Sequence, residues 1–275
     1  MLPAMRLMNP GAITDALNTL RYIDSQRVNS VATHDAAVKK RRFLSWCDEA
    51  EGQFRNHFSS SPLFDELQAT YYRVAGTALA DIAVLNGTLN RETANWERRI
   101  EDVSKALREL LEFGARPGRA VAVDTSALMQ GEFFTGFDWR TLDDSLKAGA
   151  IRLIIPALVI EELDDLKRHH QKTQKSRARR VLKSLWELHR PQPTKPAVLP
   201  DQPDVTVEVF LDNGWHLRQP NNDAEIIDQA LQVHEAIGRP VILASCDHTQ
   251  LYRSAAVGLQ AVLMPRLDDD ADGGV

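Results

Sequence analysis

The 275-residue sequence predicts an α/β protein: a three-layer α/β/α sandwich on a mostly parallel sheet, preceded by an all-helical domain. Three observations predict it. From Ala12 to Phe113 apolar residues recur at helical spacing, with few β-branched runs. Gly114-Ala-Arg-Pro-Gly118 then marks a boundary, because glycine and proline together break regular structure. Beyond it, short apolar runs alternate with amphipathic stretches, the pattern of strands joined by crossover helices. The expected division is a helical region over 1–116, an α/β domain over 119–267, and an acidic, Gly-rich tail over 268–275 that frays.

The helical region divides into about four helices. Ile13, Leu17, Leu20 and Ile23 stripe the first; Val38, Phe43, Trp46 and Cys47 stripe the second. Ser61-Pro62 followed by Asp65-Glu66 is a helix start, and that third helix is expected to run through Leu67, Tyr71, Val74 and Leu79 towards Leu85. Asn86-Gly87 is expected to break it, and Thr88 to open a last helix through Trp96, Ile100, Val103, Leu107 and Leu110. Five strand runs follow: Ala120–Val123, Ile151–Ile155, Val205–Val209, Val241–Leu243 and Ala261–Met264. Helices are expected over Trp139–Ala148, Ala157–His189, Ala224–Ile237 and Thr249–Ala256, and Pro191–Pro203 reads as a surface connector.

Apolar residues at 43% and charged residues at 26% fit a folded globular chain and exclude collagen-like or wholly disordered classes. The net charge is −5, so a nucleic-acid role has to rest on a local patch rather than on bulk charge. Two cysteines, Cys47 and Cys246, stand far apart, which excludes a disulfide scaffold or a cysteine-rich zinc site. A reducing, cytoplasmic setting is the expectation. No apolar run approaches a membrane span, and the first residues lack the apolar core of a signal peptide.

Ligands of an open parallel sheet bind outside the carboxyl ends of its strands. Four acidic positions fall at that rim: Asp124 after the first strand, Glu162 (with Glu161 beside it) in the first helical turns after the second, Asp223 at the start of the helix preceding the fourth, and Asp247 after the fourth. Taken singly, each has a plain structural explanation. Asp124 and Asp223 suit helix or turn caps, and Glu161, Glu162, Asp164 and Asp165 suit an acidic first turn facing the helix dipole. Asp247 is the hardest to explain by capping. Together their repulsion is costly unless a cation or raised pKa values compensate, and oxygen donors select hard divalent ions such as Mg2+ or Mn2+. His169 and His170 lie beyond the glutamate-bearing turn and are poorer ligands.

Four ordered blocks resemble the PIN-domain family of metal-dependent ribonucleases. These are Val121-Ala-Val-Asp-Thr-Ser-Ala-Leu128, Ile155-Pro-Ala-Leu-Val-Ile-Glu-Glu-Leu-Asp-Asp-Leu-Lys167, Asn222-Asp-Ala-Glu-Ile-Ile-Asp-Gln-Ala-Leu231, and Val241-Ile-Leu-Ala-Ser-Cys-Asp247 followed by Gly258-Leu259. The resemblance implies a PIN-like fold and a hydrolase cutting RNA phosphodiesters. It further implies that Asp124, Glu162, Asp223 and Asp247 serve both as catalytic residues and as ligands of Mg2+ or Mn2+. Thr125, Ser245 and Glu161 are expected to support them. Cys246 stands where a small or polar residue is usual. A dehalogenase-like phosphatase would need a second aspartate where Ser126 stands, and a dinucleotide site would need glycines after the first strand.

Lys167–Lys183 carries eight Lys or Arg residues and no acid. It is either a solvated face or the phosphate-holding surface, and its place next to the glutamates favours the second. Lys172, Lys175, Arg177, Arg179 and Arg180 are the expected RNA contacts, with Arg253 as a sixth or as an ion-pair partner of an acid. Single-stranded DNA is the other candidate substrate. Lys39–Arg42 reads as solvated, and Tyr71, Tyr72, Trp46 and Trp96 as core. The N-terminal helices are expected to select substrate by shape, or to form a homo-oligomer or protein interface. Two other functions fit the same sequence: a non-catalytic nucleic-acid-binding or adaptor module, and a ribonuclease toxin of a toxin–antitoxin pair.

Overall fold

A computed structural model describes residues 12–58, 62–130, 134–168, 171–192, 195–211, 216 and 218–265. The chain divides into two compact units. One comprises residues 1–115 with 213–217 and 235–238, and the other 116–212, 218–234 and 239–275.

The first unit contains α1 (Ile13–Val31), α2 (Ala36–His57), α3 (Pro62–Gly76) and α4 (Ile82–Ala115). Its core gathers around Trp96, which is fully buried and lies 5.8 Å from Trp46 and 6.2 Å from Phe54 between ring centroids. Buried indoles need a partner for their N–H. Trp46 donates to the Ile23 carbonyl at 2.9 Å, and Trp96 to the Thr70 hydroxyl at 3.0 Å. Glu92 is buried on α4 and takes two 3.0 Å hydrogen bonds from Arg73, so its charge is compensated.

Three expectations fail here. The third helix ends at Gly76, and Asn86-Gly87 lies inside α4 rather than breaking it. Asp81 provides the physical reason. Its side chain accepts the Val84 amide at 3.0 Å and its carbonyl the Leu85 amide at 2.9 Å, a helix cap several residues upstream of the expected start. The buried stripe of Leu85, Leu89, Trp96, Ile100, Val103 and Leu107 then outweighs the cost of one glycine, about 1 kcal/mol. Tyr72 is the second correction. It stands 71% exposed, one helix position off the buried Leu67, Thr70 and Val74 stripe, and Tyr71 is only half-buried. Lys40 is not simply solvated either: its ammonium caps the end of α3 by donating to the Ala75 and Thr77 carbonyls at 2.8 and 2.7 Å.

The second unit is the α/β domain. It contains β1 (Arg119–Val123), α5 (Thr125–Leu128), β2 (Ile151–Pro156), α6 (Ala157–Leu166), α7 (Lys172–His189), β3 (Ala197–Leu199) and β4 (Gln202–Phe210). There follow α8 (Asn222–Ile237), β5 (Ile242–Ser245), α9 (His248–Ala256) and β6 (Gln260–Leu263). The sheet order is β3-β4-β2-β1-β5-β6, parallel throughout except for β3 against β4. β2 is buried along its whole length, as a strand covered on both faces must be. Gly118 turns the chain into β1 with φ +110°, and a Cβ there would meet Arg152 Cγ at 2.9 Å.

β3 falls in the stretch expected to be a connector. Its three residues pair antiparallel with β4, leaving Val198 exposed at the sheet edge, where a short strand carries little sequence signal. The helix expected over Trp139–Ala148 is instead two 3-10 turns, Trp139–Thr141 and Asp144–Leu146. Asp138 and Asp143 cap them by accepting the Arg140 and Ser145 amides at 3.1 and 2.8 Å, and each cap restarts the chain. The helix expected over Ala157–His189 is two helices. α6 tightens at its end, where the Arg168 amide reaches the Asp165 carbonyl at 2.9 Å, and α7 opens at Lys172. His169, His170 and the tail over 268–275 lie outside the described residues. Among the described residues no helix is long and apolar enough to cross a membrane.

Candidate metal and nuclease site

Counting the parallel strands alone, the order runs outward in opposite directions from β1 and β5. The crevice at such a reversal, at the carboxyl ends of the strands, is where doubly wound sheets bind ligands. Asp124 leaves β1 there and Asp247 follows β5, with Val123 paired to Ala244.

Asp124 is 4% exposed and receives a dense set of donors. The Ala127 amide reaches its Oδ1 at 2.7 Å, so it caps the short α5. The Ser126 hydroxyl shares its proton between the two carboxylate oxygens at 2.8 and 3.0 Å, and the Ser245 hydroxyl donates to Oδ2. Both serines are in turn held by the chain after β5. Ser126 Oγ accepts the Cys246 amide at 2.8 Å, and Ser245 Oγ accepts the Asp247 amide at 2.9 Å. Burial pushes the Asp124 carboxyl above its ordinary value, the hydrogen bonds from Ser245, Ala127 and Ser126 oppose this, and the charge of Glu162 raises it further.

Glu162 projects from α6 towards the same rim. One of its oxygens accepts the Thr125 hydroxyl, and the other accepts the Asn222 amide group at 2.7 Å. Glu161, one residue round the helix, points elsewhere and pairs with Arg218 at 2.8 Å. Neither glutamate is in the first turn of α6, so stabilisation by the helix dipole does not explain them. Asp223 is not the cap of α8: Asn221 is, accepting the Ala224 amide at 2.8 Å. The Asp223 carboxylate instead meets Arg253 of α9 at 3.2 Å, so Arg253 takes the ion-pair alternative. Asp247, expected to resist a capping explanation, does cap α9 by accepting the Thr249 amide at 2.8 Å.

These contacts close on themselves. Asp124 is joined through Ser245 to Asp247, which caps α9; α9 carries Arg253, which holds Asp223; Asn222 holds Glu162; and Glu162 returns to Thr125, the neighbour of Asp124. Residues more than a hundred positions apart therefore share one rim. Three residues around this rim escape sequence reasoning as partners: Ser126 on Asp124, Asn222 within the ring, and Arg218 on Glu161. Only the first carried a signal, a hydroxyl two residues past a strand-end aspartate.

Among the described residues, no group of three or more His, Cys, Asp or Glu side chains is arranged to hold an ion as it stands. The donor chemistry nonetheless suits a hard divalent cation. The rim offers carboxylate oxygens, and its most buried member carries a charge that burial and Glu162 both disfavour.

A mostly parallel α/β sheet with Asp124 and Asp247 following the two strands at its switch point is the architecture of a ligand-binding doubly wound domain. The chain belongs to the PIN-domain family, whose model matches residues 121–264. PIN domains are generally nucleases that need metal ions. No curated protein matches the chain. Among solved structures it is similar to a domain of a functionally unknown protein from Methanocaldococcus jannaschii DSM 2661, at 18% identity and a TM-score of 0.34. That match covers 54% of this chain and 92% of that one.

Proposed function

We propose that the protein is a divalent-metal-dependent endoribonuclease, with Asp124, Glu162, Asp223 and Asp247 holding Mg2+ or Mn2+. The closed ring of contacts that ties these four positions to one rim is the observation that carries this reading. A bound divalent ion neutralises phosphodiester charge and acidifies water. The chain's own contribution is orientation. Ser126 and Ser245 fix both oxygens of Asp124, Thr125 and Asn222 fix Glu162, and the backbone after β5 fixes the two serines. Lys172, Lys175, Arg177, Arg179 and Arg180, all on α7, supply cations for the RNA backbone.

The test is cleavage of a mixed set of fluorescent RNAs by the full chain with Mn2+ or Mg2+, against the same reactions in EDTA. Asp124→Asn, which keeps the shape of the side chain, is expected to abolish cleavage while the fold stays intact by circular dichroism. Ser245→Ala removes the hydroxyl that donates to Asp124 and accepts the Asp247 amide, and is expected to cost about 10- to 100-fold in activity. Cleavage that survives EDTA, or an Asp124→Asn protein as active as the parent, overturns the proposal.

A second reading, a nucleic-acid-binding module without catalysis, draws on one observation: Arg253 already neutralises Asp223. RNA binding by the wild-type chain with no cleavage under either metal would favour it.

A further inference from the structure

α7 has two unlike faces. Ala178, Val181, Leu185 and His189 are buried, and His189 reaches the Val207 carbonyl of β4 at 3.1 Å, which fixes the rotation of the helix against the sheet. The opposite face repeats at three- and four-residue steps: Lys172, Lys175 and Ser176, Arg179, Lys183, Trp186. The first five, together with Arg180, line one open groove. Trp186 continues that stripe and stands 63% exposed. Lys183 also makes a 3.7 Å pair with Glu187, with both side chains largely in solvent, where such a pair holds weakly.

We infer that this stripe is a track for a single-stranded nucleic-acid segment, with Trp186 as the platform on which a base stacks at its far end. The inference rests on the ribonuclease reading and sharpens its substrate to the single-stranded form. Cations follow the phosphates and an aromatic face takes any base, the pairing of features that single-strand binders use. From Lys172 to Trp186 the helix rises about 21 Å, room for a few nucleotides. A duplex keeps its bases stacked and hides them from an exposed indole, so a paired substrate gives Trp186 nothing to hold. A membrane surface fits less well: an interfacial helix inserts a broad apolar face, and the apolar face of α7 is already buried in the domain.

The experiment is fluorescence anisotropy of the full chain with a labelled, unstructured RNA of about 12 nucleotides, run in EDTA so that binding is read without cleavage. Trp186→Ala is expected to raise Kd about tenfold and Trp186→Phe to stay within about threefold of wild type. Lys172→Glu with Arg179→Glu is expected to weaken binding and flatten the salt dependence, by about 0.7 in logarithmic slope per lost phosphate contact. A blunt RNA duplex of equal length should bind more weakly, with no response to Trp186→Ala.

Equal affinity for Trp186→Ala and wild type, or a Trp186 effect as large on the duplex, overturns the inference. Trp186-dependent binding to phosphatidylserine vesicles without binding to the oligonucleotide overturns it in favour of a membrane. Cleavage of the same oligonucleotide with Mn2+, measured in parallel, separates the two readings. Cleavage with no role for Trp186 in binding removes only the track, and Trp186-dependent binding with no cleavage keeps the track and removes the ribonuclease.

Discussion

Asp143 shows how much one side chain can organise. It caps a 3-10 turn through the Ser145 amide and hydroxyl and also receives Gln260 of β6 at 3.1 Å. Those Ser145 donors, with the nearby charge of Arg119, hold its carboxyl below the usual value. A lowered folded-state value means stability that is present above the unfolded value, about 3.9, and lost as pH falls through the folded one. Asp143→Ala is therefore expected to cost about 1 kcal/mol at pH 7 by urea denaturation. The gap to wild type should narrow as pH falls below about 3.9, and a gap that stays the same size in acid would assign the loss to packing. Glu208 is a harsher case. It is buried on β4 against Arg152 of β2, at 2.6 Å, and also bonds Arg116. Glu208→Gln strips the buried Arg152 of its compensating carboxylate and is expected to cost about 3–5 kcal/mol by the same measurement. Replacing Glu208 and Arg152 together with apolar residues should recover most of that loss. Neither network was legible in the sequence, because an arginine inside a strand run does not announce which distant carboxylate it will meet.

Elements were legible where burial repeats with the period of the element, and illegible where a single side chain decides the boundary. The central strands β1, β2 and β5 are continuous apolar runs, and the structure has them within a residue or two of their expected ends. The start of α4 depended on Asp81, and the division of the helix expected over Trp139–Ala148 into two short turns depended on Asp138 and Asp143, caps that compete with several equally plausible acids nearby. Gly87 makes the α4 result testable. It lies exposed within the helix, and a Cβ there meets nothing within 4 Å. Gly87→Ala is expected to stabilise the protein by about 0.5–1 kcal/mol, read as a rise in melting temperature. A true break at that position would give a loss instead.

At the scale of the whole molecule, the sequence placed four acids at one sheet edge, and the fold brings their segments to one rim. What it left hidden was division of labour. Asp124 and Asp247 double as caps, Asn221 relieves Asp223 of that duty, and helix rotation separates Glu162 from Glu161. Trp186 was hidden for a related reason: only the buried face of α7 reveals which residues share the outward one. The sheet order has a further consequence in time. β1 leads the α/β domain, yet one of its two neighbours, β5, is made only after β2, β3 and β4. Ser245 and Cys246, which lock Asp124 and Ser126, are translated more than a hundred residues later. A ribosome building this protein thus exposes Asp124 and Ser126 for more than a hundred residues of synthesis before the hydroxyl and the amide that fasten them exist.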